Sequence, residues 1–313
     1  MMGWLLKNII KHSGKKIIFP FYHIVSDEDC PHVKHLYPIK RVKKFEKELD
    51  FLQKYYHPMD LEELMSHIRN GTKPEGPSFF LTFDDGLREC YTVIAPILKR
   101  RSIPAAFFLN TGFVGNKGLF YRYKISLIID RIKSHPELVE GQISEGELLN
   151  LTYHDSAKIN ELAKKMNLDF NESLQNEKPY MTWEEIEELR KQGFYFGGHS
   201  VDHPLYNQIS LEEQLRQTHE SVDETVEKLN LDYRIFSFPF TDEGVKKDFF
   251  NRVLDTKICD LTFATKRLKT DEFAQNIHRF GLEPNTGSVE KIFLKRYGIY
   301  ILNSLLKQNK IIH

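Results

Sequence analysis

The stretch FFLTFDDGLREC, Phe79 to Cys90, places two adjacent carboxylates directly after an apolar run. Asp84 and Asp85 fall where a strand ends and a turn begins. A turn accepts one Asp readily, because the side chain hydrogen-bonds nearby backbone. Two of them, followed by Gly86, require solvent or a cation to offset their repulsion.

Working outward, apolar runs of strand length recur along the chain. They are KIIFPFYH ending at His23, SFFLTF (78–83), AAFFLN (105–110), FYFGGH (194–199), RIFSFPF (234–240), LTFAT (261–265) and IHRFGL (277–282). Near-continuous apolar character predicts strands covered on both faces, as in parallel sheets. Between them lie amphipathic helical patterns, VKKFEKELDFLQKY, LEELMSHIRN, TVIAPILKRR, TWEEIEELRKQG and LEEQLRQTHESVDETVEKLN. Thr182 with Glu185, and Ser210 with Glu213, carry the capping-box spacing, and Gly193 is a helix stop. Strand and helix alternate, so the fold class is α/β, either a barrel or an open doubly wound sheet. The rhythm breaks at about 116–178, where only helical patterns occur. This segment reads as a helical insertion within a single domain spanning 1–313. A C-terminal helix is expected at about 288–307.

The 313 residues include 44 Lys plus Arg and 44 Asp plus Glu, so net charge gives no reason to expect nucleic acid or an acidic membrane surface as a partner. The C-terminal FLKRYGIYILNSLLK reads as a helix docked on the fold rather than on a membrane. Cys30, Cys90 and Cys259 are far apart and form no CxxC pair, which signals neither a disulfide framework nor a cysteine zinc site. The N-terminal MMGWLLKNIIKHSGKK lacks the features of a signal peptide, and no apolar run is long enough to span a bilayer. The expectation is a soluble, cytoplasmic protein without an integral membrane segment; oligomeric state is not legible.

Two further strand ends carry polar residues. GGHSVDH contains His199 and His203, and FSFPFTDEG closes at Pro239 and Phe240. In a parallel barrel the C-terminal strand ends converge on one face. Two histidines and a carboxylate there would form a three-ligand divalent-metal centre with an open position. One Asp would ligate the metal while its neighbour stays ionised as a base. Taken singly, Asp-Asp-Gly is an ordinary turn and His-x-x-x-His an ordinary solvated helix face. Their joint placement after apolar strands favours the metal reading.

These motifs resemble those of the polysaccharide deacetylases of carbohydrate esterase family 4, the NodB-homology domain. Thr82–Gly86 reproduce T-F-D-D-G, and His199, Ser200 and His203 reproduce H-[ST]-x-x-H. FPFYHIV, FEKELDFLQKYY with MDLEEL, and MTWEEIEELRKQGFYFGGHSVDHPLYNQIS are similar to the flanking family segments. The likeness covers roughly 17–115 and 179–283.

The resemblance implies a distorted, TIM-like (β/α) barrel of seven or eight strands, hydrolysing an N-acetyl amide of an amino-sugar-containing saccharide. It implies Asp84 as general base and Asp85, His199 and His203 as ligands of one divalent metal, usually zinc. It also implies Pro239 and Phe240 at the substrate, with a backbone N–H near Phe240 serving the oxyanion. The family's R-x-P-x-Y motif is not reproduced. Ser237-Phe238-Pro239-Phe240 lacks the Arg and the Tyr and is closer to an F-A-Y-P-[FY]-G variant, which leaves Asp84 without its orienting arginine. The late family histidine, which protonates the leaving amine, maps onto His278 in NIHRFGLE; Asp242 and His23 are further polar candidates. Alternatives are a deformylase, another amidase or an O-acetyl esterase acting on a lipid-linked or small saccharide, and an inactive carbohydrate-binding relative.

Overall fold

The computed structural model describes residues 2–139, 143–283 and 287–313. Its centre is a ring of short parallel strands. Their spatial order is Asn276–His278, Leu261–Ala264, Ile235–Ser237, Tyr195–Gly198, Ala105–Leu109, Leu81–Phe83, Pro20–Tyr22 and Phe280–Gly281. Every pairing in the ring is parallel. The first and last of these strands are consecutive pieces of one chain run.

That run closes the barrel. Before Arg279 it pairs with the Leu261–Ala264 strand, and after it with Pro20–Tyr22. Arg279 N donates to Ala264 O at 2.8 Å, and Phe280 N donates to Phe19 O at 3.0 Å. The architecture is thus the distorted (β/α) barrel expected, closed by a strand shared between two neighbours.

Two of the expected runs are divided rather than continuous. Ile17–Ile18 and Ser78–Phe79 belong to a separate three-stranded parallel sheet with His57–Pro58. Each chain then enters the barrel one residue later, through Pro20–Tyr22 and Leu81–Phe83. Phe79, Phe80, Leu81 and Phe83 are all fully buried, so the division costs no apolar burial.

The helices follow the patterns closely. Val42–Tyr55, Leu61–Asn70, Trp183–Lys191 and Leu211–Leu229 form on the expected segments. Thr182 and Glu185 form the reciprocal capping box, and Ser210 caps through Glu213 N. The 92–101 pattern begins as a π-turn at Cys90–Ile94 and continues as Ala95–Arg100. The expected insertion contains the helices Tyr121–Ser134, Glu145–Leu149, Ser156–Lys165 and Phe170–Glu177. No strand occurs among its described residues, and 140–142 lie outside them. Ile125, Ile128, Ile129, Leu148, Ile159 and Leu162 give it an apolar cluster of its own. The C-terminal helix runs Val289–Leu305 and buries Phe293 and Tyr297. A helix at Met2–His12, unforeseen in the sequence, packs Leu6 and Ile10 into the same core. No described helix is long and apolar enough to cross a membrane.

The two glycines of FYFGGH are steric requirements. A Cβ on Gly197 would lie 2.5 Å from Ile235 O and 2.8 Å from a Phe108 ring carbon. A Cβ on Gly198 would lie 2.6 Å from Ser221 Oγ on the Leu211–Leu229 helix. Gly197→Ala should therefore strain two strands at once and lower stability by about 1–3 kcal/mol. A urea midpoint unchanged from the parent would contradict this packing.

Candidate active site

The C-terminal ends of the strands surround a cavity of about 430 Å³. Its lining includes His23, Asp84, Asp85, His199, His203 and Phe240. The site is assembled from turns in unusual conformations. Asp85, Ser200, His203 and Phe240 have φ of 73°, 66°, 62° and 57°. The left-handed region is costly for side chains other than glycine, and such residues persist only where surroundings fix them.

Those surroundings are visible. Asp84 N donates to Tyr22 O at 3.0 Å, which holds the turn to the neighbouring strand. Ser200 Oγ accepts from His203 N at 3.0 Å, and Asn110 donates through its side-chain amide to His199 O. These bonds fold the HSVDH turn so that the two imidazoles lie 4.9 Å apart, centre to centre.

Asp85 Oδ1 lies 3.4 Å from His199 Nε2 and 3.3 Å from His203 Nε2. These separations are long for hydrogen bonds, and Oδ1 has no hydrogen-bond partner despite its burial. They match the edge of a tetrahedron around an ion with ligand bonds of about 2.0–2.1 Å, roughly 3.3 Å. The surrounding bonds select the right atoms for such an ion. His199 Nδ1 sits 2.8 Å from Ser237 O, which leaves Nε2 as the ligating nitrogen. Tyr123 OH donates to Asp85 Oδ2 at 2.6 Å, which leaves Oδ1. Burial lowers the His203 imidazole below its ordinary value and favours the neutral, ligating form. The three donors thus fit a divalent metal.

Asp84 is held differently. Arg279 donates NH1 to Oδ1 at 2.8 Å and NH2 to Oδ2 at 2.7 Å, a bidentate pair. The same guanidinium donates to Thr82 Oγ1 at 2.9 Å and Ser237 Oγ at 2.5 Å. Burial pushes the Asp84 carboxyl upward, but the Arg279 charge, with His199, holds it below the usual value.

Arg279, which sequence reasoning overlooked, thus supplies the contact to Asp84 that the third motif of this chain cannot make. Its signal was a cation inside the apolar run IHRFGL. Tyr123 was also missed, because it lies 38 residues from Asp85 and nothing local ties the two together.

His278 is not brought to the cavity. Its side chain is fully buried, with Nε2 2.7 Å from Asp271 Oδ2 and 3.9 Å from Asp242 Oδ2. His313 Nε2 completes that cluster at 2.9 Å from the same Asp271 oxygen. Separations of 2.7 and 2.9 Å are those of direct hydrogen bonds, unlike the wider spacing around Asp85. Asp242, also entertained from the sequence, belongs to this cluster rather than to the cavity.

His23 does line the cavity. Glu283 accepts from the His23 backbone N–H at 2.6 Å and contacts Nδ1 at 2.6 Å. Burial acts to lower the imidazole, yet Glu283 outweighs it and raises the value to about 9.

A family model described as polysaccharide deacetylase matches residues 71–255. The chain belongs to the polysaccharide deacetylase family. It is similar in fold to the Streptococcus pyogenes deacetylase PplD, solved in complex with acetate. Identity there is 18%, with 90% of this chain and 98% of that chain covered and a TM-score of 0.59. A de-N-acetylase from Aggregatibacter actinomycetemcomitans is 15% identical, with 90% and 99% covered and a TM-score of 0.57. IcaB from Ammonifex degensii is 18% identical, with 92% and 98% covered and a TM-score of 0.52. No curated protein matches the sequence.

Two measurements check the electrostatics of this deacetylase-family site. Arg279→Met leaves Asp84 buried without a counter-charge and should cost about 3–5 kcal/mol in chemical denaturation. Glu283→Gln leaves burial as the main influence on His23. Its titration midpoint, followed by NMR, should then fall from about 9 toward or below the ordinary imidazole value of 6.5. A midpoint that stays near 9 would refute the pairing.

Proposed function

We propose that the chain is a metal-dependent hydrolase that removes N-acetyl groups from an amino-sugar-containing saccharide. The observation that carries this reading is the division between neighbouring carboxylates. Asp85 faces two histidine nitrogens at metal-ligand spacing, while Asp84 is fixed beside it by Arg279.

Asp85, His199 and His203 would hold the ion, with zinc the best match to a two-histidine, one-carboxylate set. When bound, such an ion acidifies water and polarises the scissile carbonyl. Asp84 is the general base: it is ionised, immobilised and placed at the same cavity wall. Arg279 positions Asp84, and its two bonds to that carboxylate fix which way the oxygens face.

The Phe240 backbone N–H is the proposed oxyanion donor. Its turn is anchored by Thr265 Oγ1, which donates to Phe240 O at 2.9 Å. The Phe240 ring, 38% exposed and 4.6 Å from the His203 ring, with Pro239 beside it, would form the apolar wall for a sugar. For protonation of the leaving amine, His23 replaces His278. It lines the cavity, and engagement of Nδ1 by Glu283 leaves Nε2 as the nitrogen available to substrate.

All three cysteines are buried and free, which supports a cytoplasmic setting. Such a setting favours soluble or lipid-linked acetylated precursors over a finished wall polymer as substrates.

Acetate release from acetylated amino-sugar oligomers, combined with zinc calorimetry, tests the assignment. Asp84→Asn should retain metal and lose about 10²–10⁴-fold in kcat. His199→Ala should lose both metal and turnover. Parent-like hydrolysis by Asp84→Asn would sink the base assignment.

A further inference from the structure

Away from the catalytic cavity lies a second concavity of about 490 Å³, between the Val289–Leu305 helix and the chain segment after the Leu261–Ala264 strand. Lys266, Arg267, Lys269, Lys291, Lys295 and Arg296 line it, and no carboxylate does. Lys266 pairs with Glu243; the other five make no ion pair with any described carboxylate. In a chain of zero net charge this is a segregated positive field.

The crowding has a physical cost that an anion would relieve. Arg296 is partly buried against Phe280, with its guanidinium 4.5 Å from that ring. NH2 donates to Gly281 O at 2.8 Å, while the buried Nε has no partner. Burial, and next the nearby Arg267 charge, lower its pKa to about 10. Two guanidiniums facing one cavity supply the forked donors that suit phosphate oxygens.

The same helix then runs into an apolar end. Leu302, Leu305 and Leu306 are 56%, 77% and 56% exposed, and Ile312 beyond them is 69% exposed. Cations beside projecting leucines are the composition of a surface that lies in a membrane interface. The two halves favour one occupant: the cavity supplies charge for a headgroup phosphate, and the leucines supply area for acyl chain. The basic cavity also adjoins the catalytic one through the chain, since Thr265 lines the latter and Lys266 the former.

We propose that this face docks on an anionic bilayer, with a lipid headgroup phosphate in the basic cavity and Leu302, Leu305 and Leu306 in the interface. The docking is independent of the hydrolytic reading, and its test does not use turnover.

The full chain is sedimented with vesicles of phosphatidylcholine alone and of phosphatidylcholine mixed with phosphatidylglycerol. Binding should require the anionic lipid and weaken with salt. Lys291→Gln and Lys295→Gln, at exposed helix positions, should each reduce partitioning about fivefold. Leu305→Ser should reduce it further, with unchanged circular dichroism in every variant. Asp84→Asn should bind vesicles like the parent, which separates this test from that of the active site.

Absence of anionic-vesicle binding overturns the proposal, as does binding indifferent to both lysines. Inorganic pyrophosphate that binds the cavity while vesicles do not would assign it to a soluble phosphate instead. Loss of a dimer in Leu305→Ser, without vesicle binding by the parent, would assign the leucines to a second copy.

Discussion

The Asp84–Arg279 pair is the interaction on which the barrel and the site both depend. Arg279 occupies the single residue at which the closing run changes neighbours, and its guanidinium sits fully buried inside the ring. Its donors reach Thr82 and Asp84 at the end of one strand and Ser237 at the end of another. Phe21, Phe108 and Phe263 surround it at 4.7, 5.4 and 5.9 Å from their ring centres. A buried charge among aromatic rings is tolerable only when it is paired, so the residue at which the barrel closes is also the one that must meet the Asp84 carboxylate. The cation that Ser237-Phe238-Pro239-Phe240 lacks is supplied instead by the closing run, through Arg279.

The same pair explains how two adjacent carboxylates coexist in a buried site. Asp85 takes a left-handed conformation, and the partners of the two side chains differ completely. Asp84 is neutralised by Arg279, whereas Asp85 accepts from Tyr123 and faces His199 and His203. Burial pushes the Tyr123 phenol well up, so it keeps its proton and remains a donor. Tyr123 belongs to the helix Tyr121–Ser134, which therefore holds Asp85 in place as well as flanking the cavity through Arg122.

The alternating pattern, the helix caps and both short motifs were legible because each is local. TFDDG and HSVDH carry their geometry within five residues. Arg279 was not legible, because its partner lies 195 residues away and nothing local announces the pairing. His278 shows the complementary failure. It stands next to Arg279 in a strand, where successive side chains take opposite faces. Arg279 therefore enters the ring, and His278 turns outward to Asp271 and His313. A one-residue difference in parity separates a residue of the site from a residue of the outer packing, and sequence resemblance does not resolve it. The divided strands have a similar origin. Continuous apolar runs report burial on both faces, not the change of sheet at Phe19 and Phe80.

Composition misled in another way. Equal numbers of acids and bases gave no reason to expect an anionic partner, yet neutrality of the sum says nothing about placement. The carboxylates of the Leu211–Leu229 helix are partly matched locally, as with Glu213 and Glu220 around Arg216. Of the cations around the Val289–Leu305 helix, Lys266 is matched by Glu243, while Arg267, Lys269, Lys291, Lys295 and Arg296 pair with no described carboxylate. Glu290 is the one acidic residue of that helix, and it does not line the cavity formed by Lys291, Lys295 and Arg296. Fields near a surface decay over roughly 8–10 Å at physiological salt, so distant acids do not cancel this cluster. The relevant quantity is charge within one screening length, and by that measure the chain has a strongly basic face beside its catalytic one.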